Sequence, residues 1–263
     1  MRARLPDHTL VYDDTGHGLP LVFIHGYPLN RKMWQPQTKG LAGDARVITF
    51  DIPGFGESKP VASSCSMDFL ADEVQKLLDW MGITDPVVIC GLSMGGYVAL
   101  AYYRKYPERI RALILTATRA LPDSVEAKAS RDKAAALAQK EGTEAIVRAM
   151  LPKMLSPQTY TSRPALVGRV RRILTKASVP GIVAVLAGMR DRPDSTPTLA
   201  QIVHPTLLIF GQDDQIVPRL EIDSLHTSIQ GSQLYFIHSA GHLPNLEQPE
   251  LFNQIIRTFL GSL

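Results

Sequence analysis

The sequence predicts an α/β protein: a mostly parallel central sheet with helices on both faces, plus an inserted helical cap. Three observations lead there. Apolar runs at 19–26, 46–51, 86–90, 110–118 and 206–211 are nearly continuous in hydrophobicity, which is how strands buried on both faces read. Patterns with helical spacing separate them, and repeated β–α units fold as a parallel sheet covered by helices. From Leu121 to about Ala200 the alternation stops and helical patterns follow one another. A crossover between parallel strands needs only about a dozen residues, so a stretch of this size is an insertion. The expected division is a core domain of residues 1–120 and 195–263 with a helical cap subdomain of residues 121–194.

In chain order, HTLVYD at 8–13 reads as a short strand and GHG at 16–18 as a turn. LPLVFIHG at 19–26 is the first buried strand; a short helix follows through about residue 42, and RVITFD at 46–51 is the next strand. Across residues 66–82, Phe69, Leu70, Val74, Leu77, Leu78 and Met81 recur every three or four positions, the mark of an amphipathic helix. Ser66 or Asp68 suits its N-cap and Gly82 its C-terminal stop. PVVIC at 86–90 is a strand, GYVALAYYRKY at 96–106 a helix ended by Pro107, and IRALILTAT at 110–118 a strand. The insertion carries helical patterns at about 124–141, 143–155, 163–177 and 180–190, punctuated by Pro152, Pro157, Pro164 and Pro180. Then come a strand at 206–211, a helix at 220–229 and a strand at 233–238. A last helix from Pro249 is expected to bury Leu251, Phe252, Ile255, Ile256, Phe259 and Leu260.

Hydrophobic residues make up 45% of the 263 and charged residues 20%, enough apolar content for a large core and too little charge for a disordered chain. A net charge of +3 argues against a nucleic-acid or membrane partner, and RVRR at 169–172 reads as a solvated helix face. Cys65 and Cys90 read as free thiols, which suits a reducing compartment. No apolar stretch follows the basic N-terminus as in a signal peptide, and no run reaches the roughly 18 apolar residues of a membrane helix, so the expected location is the cytoplasm. The sequence has no HExxH, paired CxxC or clustered-carboxylate motif, so no metal and no cofactor is expected.

Ligands of such sheets gather outside the carboxyl ends of the strands. The residues just past those ends are therefore the candidates for chemistry. Past PVVIC lies GLSMG at 91–95, which fits G-x-S-x-G, the strand-to-helix turn that exposes a nucleophilic serine. Gly91 and Gly95 are expected where neighbouring chain passes too close for a Cβ, and the helix after Ser93 aims its unpaired N–H groups at the reacting centre. Past TLLIF comes GQDD at 211–214, and past QLYFIH comes SAGH at 239–242. A serine hydroxyl needs a base to become nucleophilic, an imidazole serves near neutral pH, and a carboxylate holds the imidazole tautomer. The chain order Ser…Asp…His matches that division of labour. Among the histidines, His242, in a glycine-flanked loop, is the expected base and His238 its nearest rival. His8, His17, His204 and His226 read as surface or structural, and His25 as a hydrogen-bonding brace for its loop. The acid is Asp213 or Asp214, and the pattern does not choose; after the strand before the insertion no carboxylate occurs until Asp123. Two backbone N–H donors are expected to form the oxyanion hole, that of Met94 after the nucleophile and that of Tyr27 in the loop after His25-Gly26.

Five motifs carry a resemblance over essentially the whole chain: HGYP at 25–28, DIPGFGES at 51–58, GLSMGG at 91–96, GQDDQIVP at 211–218 and AGHLPNLEQPE at 240–250. With them the sequence resembles the α/β-hydrolase superfamily. The superfamily pattern G-x-x-D falls on Gly211 and Asp214, so the resemblance implies Asp214 as the acid, and it implies that the insertion is a cap roofing the site. TRALPDSVEAK at 118–128, MLPKMLSP at 150–157 and GMRDRPDST at 188–196 further resemble small bacterial carboxylesterases often labelled β-ketoadipate enol-lactonases. A serine at position 93 departs from the haloalkane dehalogenases and epoxide hydrolases, which use aspartate there, and HGYP departs from the HGGG of hormone-sensitive-lipase-like esterases.

Together these imply a serine carboxylesterase that hydrolyses short- to medium-chain carboxylic esters through an acyl-enzyme. The expected partner is a small-molecule ester, and the expected state a monomer or small homo-oligomer. Met150, Met154 and Trp34 either line the substrate pocket or simply pack the cap helices. Arg119 either binds a substrate carboxylate, as an enol-lactone of a dicarboxylic acid carries, or pairs with Asp123 or a cap carboxylate. Enol-lactone hydrolysis is thus the second reading, with perhydrolase-type side activity and a triad-retaining signalling module as further alternatives.

Overall fold

The computed structural model describes residues 1–61 and 65–263. The strands are β1 (Arg2–Arg4), β2 (Thr9–Thr15), β3 (Pro20–Ile24), β4 (Arg46–Phe50), β5 (Val87–Leu92), β6 (Ile110–Thr116), β7 (Thr206–Gly211) and β8 (Gln233–Ile237). They form one sheet in the order β1-β2-β4-β3-β5-β6-β7-β8. The pairings of β2 with β1 and β4 are antiparallel. Every pairing from β4 to β8 is parallel, as the buried apolar runs require. β1 was not legible in the sequence: three residues, with only Ala3 turned inward, are too short to show a period.

Successive side chains in a strand point to opposite faces, and here they feed two apolar clusters. Val22, Ile24, Ile89 and Phe210 face one cluster; Leu21, Phe23, Cys90 and Ile209 face the other. The helices are α1 (Gln35–Leu41), α2 (Met67–Trp80), α3 (Met94–Lys105), α4 (Val125–Glu141), α5 (Thr143–Met150), α6 (Pro157–Ser162), α7 (Pro164–Leu174), α8 (Val179–Arg190), α9 (Thr196–Leu199), α10 (Arg219–Ser228), α11 (Pro244–Glu247) and α12 (Pro249–Leu260). α2, α3, α8 and α10 pack on the first face, and α1, α7 and α12 on the second. Ser66 is the N-cap of α2, accepting from the Phe69 N–H, and Gly82 behind it has φ +65°, a conformation that favours glycine. Helix α12 buries Phe252, Ile256 and Phe259 as expected, but Leu251 is exposed, one position off the buried stripe. No single helix among the described residues is long and apolar enough to cross a membrane.

Six helices, α4 to α9, lie between β6 and β7, with no strand among them. The pattern expected at 143–155 stops at Met150 and continues as a single 3-10 turn, Leu151–Lys153, because Pro152 has no N–H to extend the helix. Both cysteines are free and buried.

Candidate active site

The turn after β5 has the geometry that its glycines demand. Ser93 has φ 56° and ψ −112°, a strained conformation for a residue with a side chain, costing of order 1–3 kcal/mol. A Cβ on Gly91 would lie 2.2 Å from the Gly95 carbonyl oxygen, and one on Gly95 would lie 2.2 Å from that of Ile24. Only glycine allows β3, β5 and the start of α3 to meet this closely. The turn is held from β6: Ser93 N–H donates to Thr116 O (2.9 Å), and the Thr118 hydroxyl donates to Ser93 O (2.8 Å). Ala117 and Ser239, just past β6 and β8, are the other two non-glycine residues with positive φ among those described, so the strain gathers at the carboxyl edge of the sheet.

α3 starts at Met94, two residues earlier than the sequence suggested, so Met94 N–H opens the helix without an intrahelical acceptor. Over the turn lies the loop after β3: a Cβ on Gly26 would come within 3.4 Å of Ser93 Cβ. The next backbone N–H, that of Tyr27, has no backbone acceptor among the described residues. The Tyr27 ring is buried edge-on to Phe55 at 6.4 Å, its hydroxyl has no partner among the described residues, and burial raises its pKa.

This loop is braced from two sides. His25, fully buried, accepts the Ile52 N–H at Nε2 (3.0 Å), so its Nδ1–H donates to Gly26 O (3.0 Å); burial lowers its pKa to about 4. Arg31 fans out to three carboxylates, Asp13 at 3.0 Å, Glu57 at 2.7 Å and Asp51. Asp51 also accepts the Arg31 and Glu57 N–H groups, both at 2.8 Å. This network, unread in the sequence, is the structural content of DIPGFGES: its two carboxylates bind the arginine that follows HGYPLN.

β7 and β8 bring Asp214 and His242 together. A Cβ on Gly211 would lie 2.0 Å from the Gly241 carbonyl oxygen, and Asp213 N–H donates to Ala240 O (2.9 Å), so the two loops are zipped. His242 Nδ1 is 2.9 Å from Asp214 Oδ2, with both side chains no more than 3% exposed. Asp214 Oδ1 accepts from Ile216 N (2.7 Å) and Val217 N (3.2 Å). Burial raises the Asp214 pKa, but His242 and these N–H donors outweigh it and hold the carboxyl below its ordinary value. Asp213 points into solvent. With Nδ1 engaged, Nε2 is the nitrogen of His242 without a hydrogen-bond partner among the described residues. Ser93 Oγ makes no hydrogen bond to His242.

The residues expected to line a pocket fare differently. Trp34, fully buried, packs against Phe23 (4.6 Å between ring centres) and Phe252 (6.3 Å), the packing alternative of the two that the sequence left open. Met154 is likewise packed, 1% exposed, in the cluster containing Val147 and Leu174. Met150 is half-buried between the two clusters. Arg119 pairs with Glu221 of α10 at 3.0 Å, not with Asp123 or a carboxylate of the insertion; Asp123 is taken by Arg192 (2.6 Å) and Arg131 (3.0 Å). The sequence pointed to Asp123 because it is close along the chain, whereas α10 reaches Arg119 only through the β6–β7 pairing.

The chain belongs to the family described as the alpha/beta hydrolase fold, whose model matches residues 20–249. Among solved structures it is similar to a malate-bound thermophilic esterase from Thermogutta terrifontis, with 41% identity, TM-score 0.95, and 97% of this chain and 94% of that one covered. It is also similar to the enol-lactonase from Burkholderia xenovorans LB400, with 25% identity, TM-score 0.91, and 99% and 100% covered. In sequence it is 30% identical over 240 residues to a pimeloyl-[acyl-carrier protein] methyl ester esterase of Neisseria meningitidis, covering 90% of this chain and 91% of the relative.

Proposed function

We propose that the protein is a serine carboxylesterase acting on neutral short- to medium-chain esters, with Ser93 as nucleophile, His242 as base and Asp214 as its orienting acid. The observation that carries the reading is the buried His242–Asp214 pair at 2.9 Å, past β7 and β8, on the same sheet edge as the strained Ser93 turn. Ser93 Oγ attacks the ester carbonyl and passes its proton to His242 Nε2. Asp214 stabilises the imidazolium from the Nδ1 side. The Met94 and Tyr27 N–H groups hold the oxyanion, each contributing about 3 kcal/mol. Collapse of the intermediate sends the proton from His242 to the leaving alcohol. Water, deprotonated by the same histidine, then attacks the acyl-enzyme and releases the acid and free Ser93.

One observation supports a neutral substrate and one an ester. The Arg119 charge is already met by Glu221. Two relatives are named as esterases. The second reading, enol-lactone hydrolysis, draws on the likeness to the Burkholderia enol-lactonase. Ser93→Ala tests the mechanism: kcat on p-nitrophenyl butyrate should fall by roughly 10⁶-fold, and retained activity sinks the assignment. Comparing kcat/KM for that ester with an acidic enol-lactone tests the substrate class; a strong lactone preference lost in Arg119→Ala reverses it.

A further inference from the structure

Glu247 is 1% exposed and lies at the end of the short helix behind His242. Its Oε2 accepts the Gly241 N–H at 2.6 Å, one residue before His242. Its Oε1 accepts the Ser156 N–H at 2.8 Å and the Thr159 hydroxyl at 2.6 Å, both from the helical insertion. Arg163, from the same insertion, donates to the Glu247 backbone carbonyl. The two segments touch directly beneath this carboxylate: a Cβ on Gly241 would lie 2.6 Å from Leu155 C and 2.7 Å from Ser156 N. Both carboxylate oxygens therefore face donors, and no salt-bridge partner stands within 4.0 Å among the described residues. Three neutral donors from two parts of the chain converge on one buried acid, an arrangement only a two-oxygen acceptor satisfies.

We propose that Glu247 is a positioning residue: it fastens the insertion to the loop that carries His242, so that the base and the roof over the site move as one body. The proposal rests on the reading of His242 as the base. Burial of a carboxylate is costly unless its oxygens are satisfied, and here satisfying them needs both partners in place at once. The acid thus registers the insertion at residues 155–159 against the loop 240–242. If the insertion shifts or Glu247 loses one of its acceptor oxygens, Gly241 loses its bond and the imidazole its fixed placement. Displacements of about 1 Å at such a site cost on the order of a hundredfold in rate.

The test compares Glu247→Gln, Thr159→Val and Thr159→Ser with the native chain on p-nitrophenyl butyrate, alongside Ser93→Ala. Glu247→Gln turns an NH₂ toward one of two N–H donors. It should lower kcat at least about tenfold with KM within about threefold. Thr159→Val removes one donor from the insertion side and should lower kcat in the same direction by a smaller factor; Thr159→Ser, which restores the hydroxyl, should rescue it. The double variant Glu247→Gln/Thr159→Val should be no slower than Glu247→Gln alone, because both act through one carboxylate. If Glu247→Gln does not fold, Thr159→Val and its serine rescue decide the matter. Unchanged kcat in either folded variant, even with a lower melting temperature, overturns the proposal, since a merely structural acid would show that pattern. Activity lost in Ser93→Ala but unchanged in Glu247→Gln refutes only the positioning role; activity retained in Ser93→Ala refutes the triad, and this proposal with it.

Discussion

His25 makes the protein's stability depend on acid in a way that can be worked from the structure. The ring is fully buried, and its two nitrogens are committed to one donor and one acceptor, Ile52 N–H and Gly26 O. Protonation would set an N–H against the Ile52 N–H inside the core. Burial first, with the Arg31 charge adding to it and the Gly26 carbonyl opposing, lowers the folded ring's pKa to about 4, against 6.5 for the free side chain. Between those values the unfolded chain binds the extra proton, so stability must fall as pH falls. The contribution is fully present above 6.5 and is lost as pH drops toward 4. The full difference is about 3 kcal/mol, with a limiting slope of about 1.4 kcal/mol per pH unit. The perturbation is His25→Gln, which keeps a donor and an acceptor but does not titrate. Urea unfolding of both proteins at steps from about pH 7.5 to pH 4.5 gives the two stability curves. The native protein should lose about 2–3 kcal/mol more than the variant over that range. Parallel curves would refute the reasoning, because they would mean that no proton is taken up at His25 on unfolding.

The remaining predictions concern the strand ends and the thiols. Asp214→Asn keeps an oxygen for the Ile216 and Val217 N–H groups but turns an NH₂ toward His242, favouring the wrong tautomer; kcat should fall about 10⁴-fold with the fold intact by circular dichroism, and near-native turnover would count against the acid's assignment. Gly95→Ala drives a Cβ to 2.2 Å from Ile24 O, so β3 must shift; the urea midpoint should drop by the equivalent of about 2–3 kcal/mol, and an unchanged midpoint would contradict the packing described. Burial, aided by the Glu73 charge, raises the Cys65 thiol pKa to about 11, and burial raises that of Cys90 well above its usual range. Ellman's reagent should therefore find no fast-reacting thiol in the native protein and two per chain after unfolding, and rapid native labelling would refute the burial.

Why the sheet was legible in the sequence is a matter of local physics. Strands buried on both faces have to be apolar throughout, so β3, β4, β5, β6 and β7 announce themselves. β1 and the short helices α6, α9 and α11 do not, since three to six residues cannot display a period. The glycines around Ser93 were legible because their spacing about the serine is written in the chain, although one of the clashes they avoid, Gly95 with Ile24 O, is long-range. The choice of Asp214 over Asp213 needed the resemblance; in the structure one carboxyl is turned to His242 and its neighbour to solvent, an arrangement that chain order alone does not reveal.

The pocket was not legible, and the reason separates the two halves of the problem. A reacting group is marked by its place at a strand end, and place along a strand is written in the chain. A pocket wall is marked by the direction an apolar side chain faces, which packing decides. Trp34, in the loop after HGYP, and Met154, in the insertion, were candidates for a pocket wall, yet both are packed in the core, where an indole or a thioether is equally at home. Charged residues behaved in the same way: Arg119 found Glu221, Arg31 found Asp13, Asp51 and Glu57, and Glu247 found the insertion, each across 18 or more residues of chain. Such long-range pairs leave no spacing signature, because only the finished sheet brings the partners together. What the chain makes explicit is therefore the set of residues at the strand ends; how the insertion is fastened to the loop at 240–242 emerges only in the folded structure. A single buried carboxylate bridging the insertion and the histidine loop is where those two levels meet.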